Sequence, residues 1–443
     1  VKTGDPFLVR GTAARIVLPK ERPLTQLATR LERLSESVVL ICGDLAAQTA
    51  TAPLVTAKAL PEHPGAVART KKYFGYTARR PVLVMLDHDG KDLPPELRQR
   101  LDAAGGLVAV LTAICPEFAK AGVLLRPSCS TGIRNRVTGA ITPGGSLHLY
   151  FVAKDGADIT TFVKRLHERL VLNGWGWAFI SKRGHIHVRS LIDVVASGSS
   201  YWLCFEENAV LAHRDLEHVQ GARRCLVERD GVFLDTKKLP ELDKDEHHRL
   251  AAITARLRAA AQPEADRRKA LYIATRAADL EAQGFDPVEA KARASRVYET
   301  QCLDPSDIIV FDDGRVVAGA DILRNPKSFN RATGADPLEP DYGGGRNKAL
   351  WLTDRMPIEC RSFAHGGIRY TLGWGARDLI AEWKAHGDED KIAGMWPLTI
   401  LDDPANDEGA LAAANVPTKG RLTFERIAGA ISSDWKDRLQ RTG

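Results

Sequence analysis

The stretch VLVMLDHDG, residues 82–90, decides how the chain is read, because five apolar residues run straight into Asp87, His88 and Asp89. An ionised carboxylate at the end of such a run is costly to bury unless something positive meets it. Side chains alternate faces along a strand, so Asp87 and Asp89 are expected on one side and His88 on the other. Two adjacent carboxylates repel, and a divalent cation between them removes the repulsion. Carboxylate oxygens plus water are the ligands Mg²⁺ prefers, with substrate phosphates completing the shell. The alternative is a strand end whose aspartates cap the turn in DHDGKDLPPEL, ahead of a helix starting near Pro94.

Two further apolar stretches favour a site. In GGSLHLYFV, Ser146 and His148 alternate onto one strand face behind a Gly-Gly that lets a ligand approach the backbone. In HVRSLIDVV, Arg189, Leu191 and Asp193 are expected to share a face, placing a third carboxylate in a strand. Three acidic groups, an imidazole and a hydroxyl on adjacent strands form a candidate site.

Around these motifs the pattern is α+β. A helix carrying LATRLERL precedes an apolar strand, SVVLIC. Residues 80–210 then alternate apolar runs (PVLVMLD, GLVAVLTAI, SLHLYFVA, WGWAFIS, HIHVRSLID, SYWLCFE) with helical patterns, chiefly ITTFVKRLHERLVLNG, so a sheet with helices packed on it is expected. From Pro240 to Thr300 the spacing predicts two to four helices, punctuated by Pro263 and by GFDP at 284–287. DIIVFDDGRVV and IECRSFAHGGIRYTL read as hairpins turning at DDG and HGG, and PLEPDYGGGRNKALW as a loop. The expected division is a catalytic core over 1–225, a helical segment over 226–303 and a small mixed α/β domain over 304–443.

At 443 residues, with 44% apolar and 27% charged side chains, the chain has the composition of a folded globular protein of two or three domains. No apolar run is long enough for a membrane span and no signal-peptide order opens the chain, so a cytoplasmic protein with no membrane partner is expected. Sixty-two basic against 56 acidic residues give a mild lean towards polyanions. The seven cysteines are scattered and never form CxxC, which signals reduced thiols rather than a disulfide framework or a zinc ribbon.

The order MLDHD, SLHLYF, LIDV, each in an apolar context, resembles the three catalytic motifs of the archaeo-eukaryotic primase superfamily, the primase-polymerases. The lead-in PSCSTGIRN, the GW segment, RSLID, the FE of WLCFEENAVL and SFAHGGIRYTL are similar to stretches of its plasmid and phage members. The likeness is good over 80–211, patchy beyond and slight before residue 70. His148 and Asp193 stand further apart than in the smallest members; no zinc stem is signalled. No GxxxxGK[ST] phosphate loop is present, so a helicase would be a partner on a separate chain.

The resemblance implies a template-dependent nucleotidyltransferase, a DNA primase and/or polymerase of a plasmid, phage or other mobile element. Asp87, Asp89 and Asp193 would hold Mg²⁺ or Mn²⁺ for a two-metal reaction on nucleoside triphosphates. Ser146 and His148 would bind the incoming nucleotide's phosphates and Arg189 would neutralise charge on them, with Lys182 and Arg183 as secondary candidates. Ser128, Ser130, Thr131 and Arg134 offer further phosphate or sugar contacts near Gly132, a turn role serving equally well. A single-stranded DNA template and primer need a track, and RTKKYFGYTARR mixes Arg69, Lys71, Lys72, Arg79 and Arg80 with Tyr73, Phe74 and Tyr76. A solvated basic turn with aromatics packed on the core is its alternative. Arg256, Arg258, Arg267, Arg268 and Lys269 read as a charged helix face, and His365 as a turn histidine. Two rival functions stand beside this one. HIH at 185–187 resembles the paired histidines of rolling-circle replication endonucleases, although Tyr201, Tyr272 and Tyr298 are poorly placed as nucleophiles; the other is a non-catalytic origin-binding initiator.

Overall fold

The computed structural model describes residues 10–373 apart from 35–37, 48–49, 58, 143, 212, 283, 355–356 and 365–366, and the side chain of residue 343. His365 lies outside the described residues. The chain is a mixture of α and β structure in two compact units, divided between Arg268 and Lys269. That division falls within one helix, Lys244–Ala282.

The first unit is built on a four-stranded antiparallel sheet in the order Leu226–Glu228, Val123–Pro127, Leu147–Ala153, Val82–His88. Both faces of its central strands are apolar because both are covered. Val84, Leu86, Leu149 and Phe151 pack under the helices Leu107–Ile114 and Ile159–Leu170, against Leu111, Phe162 and Leu166. On the other face Met85, Leu124 and Tyr150 meet Leu24, Leu27 and Leu31 of the helix Pro23–Leu31. Each fully buried Leu or Phe contributes about 1.5–3 kcal/mol relative to exposure, so these two layers hold the strand ends where the polar residues begin.

Several expectations are corrected. GLVAVLTAI forms a helix rather than a strand, since the preceding Gly105 and Gly106 take positive φ and start it in place. SYWLCFE is not a strand, nor is the described part of SVVLIC, residues 38–42; Cys204 and Leu40 make only an isolated bridge to each other. WGWAFIS and HIHVRS pair with each other, as Trp177–Ile180 with Ile186–Arg189, outside the main sheet. Pro263 does not divide its helix. Arg258 and Arg268 of that helix donate to the carbonyls of Ile186 and Ile180, while Arg267 and Arg268 pair with Glu264, so most of this basic face has local partners.

The second unit contains the helix Pro287–Thr300 and a five-stranded sheet in the order Cys302–Leu303, Ile368–Leu372, Ile358–Ser362, Ala349–Leu352, Thr333–Gly334. Trp351, Tyr370, Leu372 and Ile322 fill its core. Both expected hairpins form, Ile308–Val310 with Val316–Ala318 and Ile358–Ser362 with Ile368–Leu372. All seven cysteines are free thiols, with Cys115, Cys204 and Cys360 buried. Among the described residues no helix is long and apolar enough to cross a membrane.

Candidate active site

Antiparallel register sets Arg126, His148 and Asp87 side by side across three strands, on the face that also carries Tyr150. Asp87 Oδ1 lies 3.7 Å from His148 Nε2. The other ring nitrogen, Nδ1, is held by the carboxylate of Glu206, a residue with no exposed surface. Tyr150 also donates its hydroxyl to Glu206, at 2.5 Å. Arg126 closes the cluster with its Nε 2.9 Å from Glu206 Oε2 and further bonds to the carbonyls of Leu31 and Glu206. Arg223 reaches the Glu206 carbonyl at 3.0 Å and the Asn208 amide oxygen at 2.9 Å.

A buried ion cluster of this kind survives only when every charge has a partner. Burial acts to lower the His148 pKa, but the hydrogen bond and charge of Glu206, helped by Asp87, outweigh it and the net shift is upwards. Burial likewise acts to raise Glu206, and His148, Tyr150 and Arg126 together bring it below the usual glutamate value. Both shifts arise in the same His148–Glu206 pair. Asp87 goes the other way: burial pushes it up to about 6, His148 opposes the rise, and Asp193, Asp89 and Glu206 add to it. Burial is thus the main reason that Asp87 holds its proton more tightly.

Asp89 and Asp193 reach Asp87 from loops, which corrects the strand placement of both. The strand ends at His88, and Asp89 caps the turn Gly90–Asp92, its Oδ1 accepting from Lys91 N at 3.2 Å and from Ser146 Oγ at 2.9 Å. Gly90 N in turn donates to Ser146 Oγ at 3.0 Å. A Cβ on Gly90 would meet the Gly145 carbonyl oxygen at 2.5 Å, so Gly90 permits the close approach of the two backbones. Asp193 caps the short helix Val194–Gly198, accepting from Val195 N at 2.8 Å and Ala196 N at 2.9 Å. That helix is clamped to the strand end: Asp193 N donates to the Asp87 carbonyl at 2.8 Å and Asp87 N to Ser197 Oγ at 2.9 Å. His88, on the opposite face and 3% exposed, donates Nδ1–H to the Leu191 carbonyl at 2.6 Å and steadies the same loop.

The carboxylates offer the hard oxygen donors a divalent cation takes. Among the described residues no group of three or more His, Cys, Asp or Glu side chains is already gathered in metal-holding geometry. Both caps use Oδ1 of their aspartate. An ion would have to draw the carboxylates together through their second oxygens.

The other expected residues divide. Ser130 lies in the loop beside Ser146: Ser128 N donates to the Ser146 carbonyl at 2.9 Å, and the Ser128 and Ser130 hydroxyls are 3.0 Å apart. Arg134 pairs instead with Glu217 on the strand Leu216–His218. Arg189 does not share a strand face with Asp193; it stacks on Phe179 at 3.7 Å and pairs with Asp92 at 2.7 Å. His187 also packs beside Phe179. In the basic segment Arg69, Lys71, Lys72, Arg79 and Arg80 are exposed, Phe74 is buried and Tyr73 and Tyr76 pack on the core. Lys72 and Arg80 line a cavity of about 400 Å³ with Arg15, Asp44, Tyr76 and Thr77. Glu206, Arg126, Tyr150 and Arg223 escape a sequence reading of the site. Their one signal is an acidic residue in WLCFE and a basic one in VLLRP, opposite charges inside two apolar runs.

Comparison with family models, curated proteins and solved structures returned no match.

Proposed function

We propose that the protein is a template-dependent nucleotidyltransferase, a DNA primase and/or DNA polymerase serving replication of a plasmid, phage or other mobile element. The observation that supports this reading best is the grouping at one strand end of Asp87 with Asp89 and Asp193, beside His148. Asp87, Asp89 and Asp193 are the residues that would hold Mg²⁺ or Mn²⁺, which when bound supply activation of a 3′-hydroxyl and neutralisation of a triphosphate. His148, whose protonated form Glu206 favours, offers an N–H to phosphate oxygens. Ser146 keeps Asp89 in place, and Ser130 would reach the nucleotide from the loop that Ser128 ties to Ser146. Arg189, held between Phe179 and Asp92, has a planar fork that suits phosphate once it leaves Asp92.

The test is a gel of products from primed and unprimed single-stranded DNA with dNTPs or NTPs and either cation, run beside a plasmid nicking assay. Incorporation by the wild type and its loss in Asp87→Ala and Asp89→Ala are expected, with most DNA affinity retained. Unchanged synthesis by either variant would refute the metal assignment, and nicking without incorporation would favour an endonuclease. DNA binding with neither reaction would leave a non-catalytic initiator.

A further inference from the structure

The Asp193-capped helix and the segment after it carry three exposed large apolar side chains: Val195 in the helix is 67% exposed, and Tyr201 and Trp202 beyond it are each 38% exposed. A tryptophan and a tyrosine exposed next to each other are unusual on a surface that has no contact to make. Their position is fixed by backbone bonds. Gly43 N donates to the Ser200 carbonyl at 2.8 Å, and Ser200 Oγ donates to the Phe74 carbonyl at 2.6 Å. The Ser199–Trp202 turn is thereby tied to the basic segment.

That basic segment is itself folded outward. The Thr70 carbonyl accepts from both Tyr73 N and Phe74 N at 3.0 Å, making a tight turn with Arg69, Lys71 and Lys72 exposed and Phe74 buried beneath. Arg69 comes within electrostatic reach of the Tyr201 phenol. Asp193, the two rings and the basic turn are thus linked, the short helix Val194–Gly198 joining Asp193 to the rings and Ser200 joining the rings to the turn.

We propose that Tyr201 and Trp202 form a base-stacking platform for single-stranded nucleic acid, with Arg69, Lys71 and Lys72 gripping its phosphates, so that the strand runs from the basic turn across the two rings towards Asp193. Charge complementarity selects this occupant: cations beside exposed rings match a polyanion whose bases are free to stack, whereas duplex DNA offers only its charge. The platform deepens the template role proposed above and rests on that reading only for what the strand is used for. Strand binding itself needs neither metal nor nucleotide.

The experiment is fluorescence anisotropy of an end-labelled oligothymidylate in EDTA, with a duplex of the same length as control, across a range of salt. Tyr201→Ala and Trp202→Ala are each expected to weaken single-strand binding about 10-fold without changing its salt slope. Arg69→Ala and Lys72→Ala are expected to reduce the slope by about 0.7 each. Tyr201→Phe and Trp202→Phe keep a ring and are expected to bind like the wild type, which separates lost stacking from lost folding. Wild-type affinity in both alanine variants, or an equal loss on duplex, overturns the platform. So does unchanged DNA affinity accompanied by altered self-association in light scattering, the mark of a protein contact. Ring-dependent strand binding in a chain that incorporates no nucleotide would sink the polymerase reading and leave the platform standing.

Discussion

Glu206, wholly buried, holds Nδ1 of His148 while Asp87 stands 3.7 Å from the same ring's Nε2, so one imidazole joins an inner and an outer carboxylate. The inner carboxylate is further matched by Arg126 and Arg223. Glu206→Gln keeps the shape and removes the charge, leaving two guanidinium groups and an imidazole short of a partner. Breaking a buried pair from one side costs about 3–5 kcal/mol. Urea unfolding should register a loss of that size, and a loss under 1 kcal/mol would show that the cluster contributes little.

His148→Ala should weaken the incoming nucleotide more than the template. Titrations of labelled nucleotide and labelled single strand against the variant separate the two, and equal losses would remove the phosphate-binding role from the ring.

Asp87 carries a pH signature. Its proton is held more tightly in the folded chain, with the pKa raised from 3.8 to about 6. The group therefore favours folding at acid pH, and that advantage is lost as pH climbs through the interval between those values. In metal-free protein, Asp87→Asn should raise stability at pH 7 by about 1–3 kcal/mol, the gain fading towards pH 4. Melting curves at the two pH values check this. An Asn variant no more stable than wild type at pH 7 would deny that burying this carboxylate is costly.

Asp193 has two separable duties. Asn caps helices about as well as Asp, so Asp193→Asn should fold with near wild-type stability yet lose incorporation. Asp193→Ala should lose both, with about 1 kcal/mol from the cap. Full activity in the Asn variant would confine residue 193 to capping.

Gly90→Ala drives a methyl into the Gly145 carbonyl, 2.5 Å from the ideal Cβ position. Overpacking of this kind costs about 1–3 kcal/mol. The displaced Ser146 should also release Asp89. Thermal midpoint and incorporation rate should fall together, and a neutral substitution would show that the two backbones separate freely.

Much of the fold was legible because its signals are local. Val82–His88 and Leu147–Ala153 are long apolar runs buried on both faces, and Ile159–Leu170 has apolar residues at helical spacing, so period and composition identify them. Leu107–Ile114 was misread because a short, wholly apolar run has no period to separate helix from strand; the paired positive-φ glycines before it supply the start. Asp89 was legible as a cap of the turn in DHDGKDLPPEL, the alternative to a cation site, whereas Asp193 could be picked out as a carboxylate after an apolar run but not as a cap. Which backbone N–H groups a carboxylate meets depends on where the chain turns.

By itself the sequence determined which residues face together within each strand, placing Asp87 on one side of its run and His88 on the other, and His148 on the face of Tyr150. Only the tertiary structure decided that Arg126, His148 and Asp87 fall in register, and that Glu206, 58 residues beyond His148, closes beneath them. The reason is physical. Alternation along a strand follows from backbone geometry at each residue, whereas neutralising a buried charge depends on which distant segments share the same dry space.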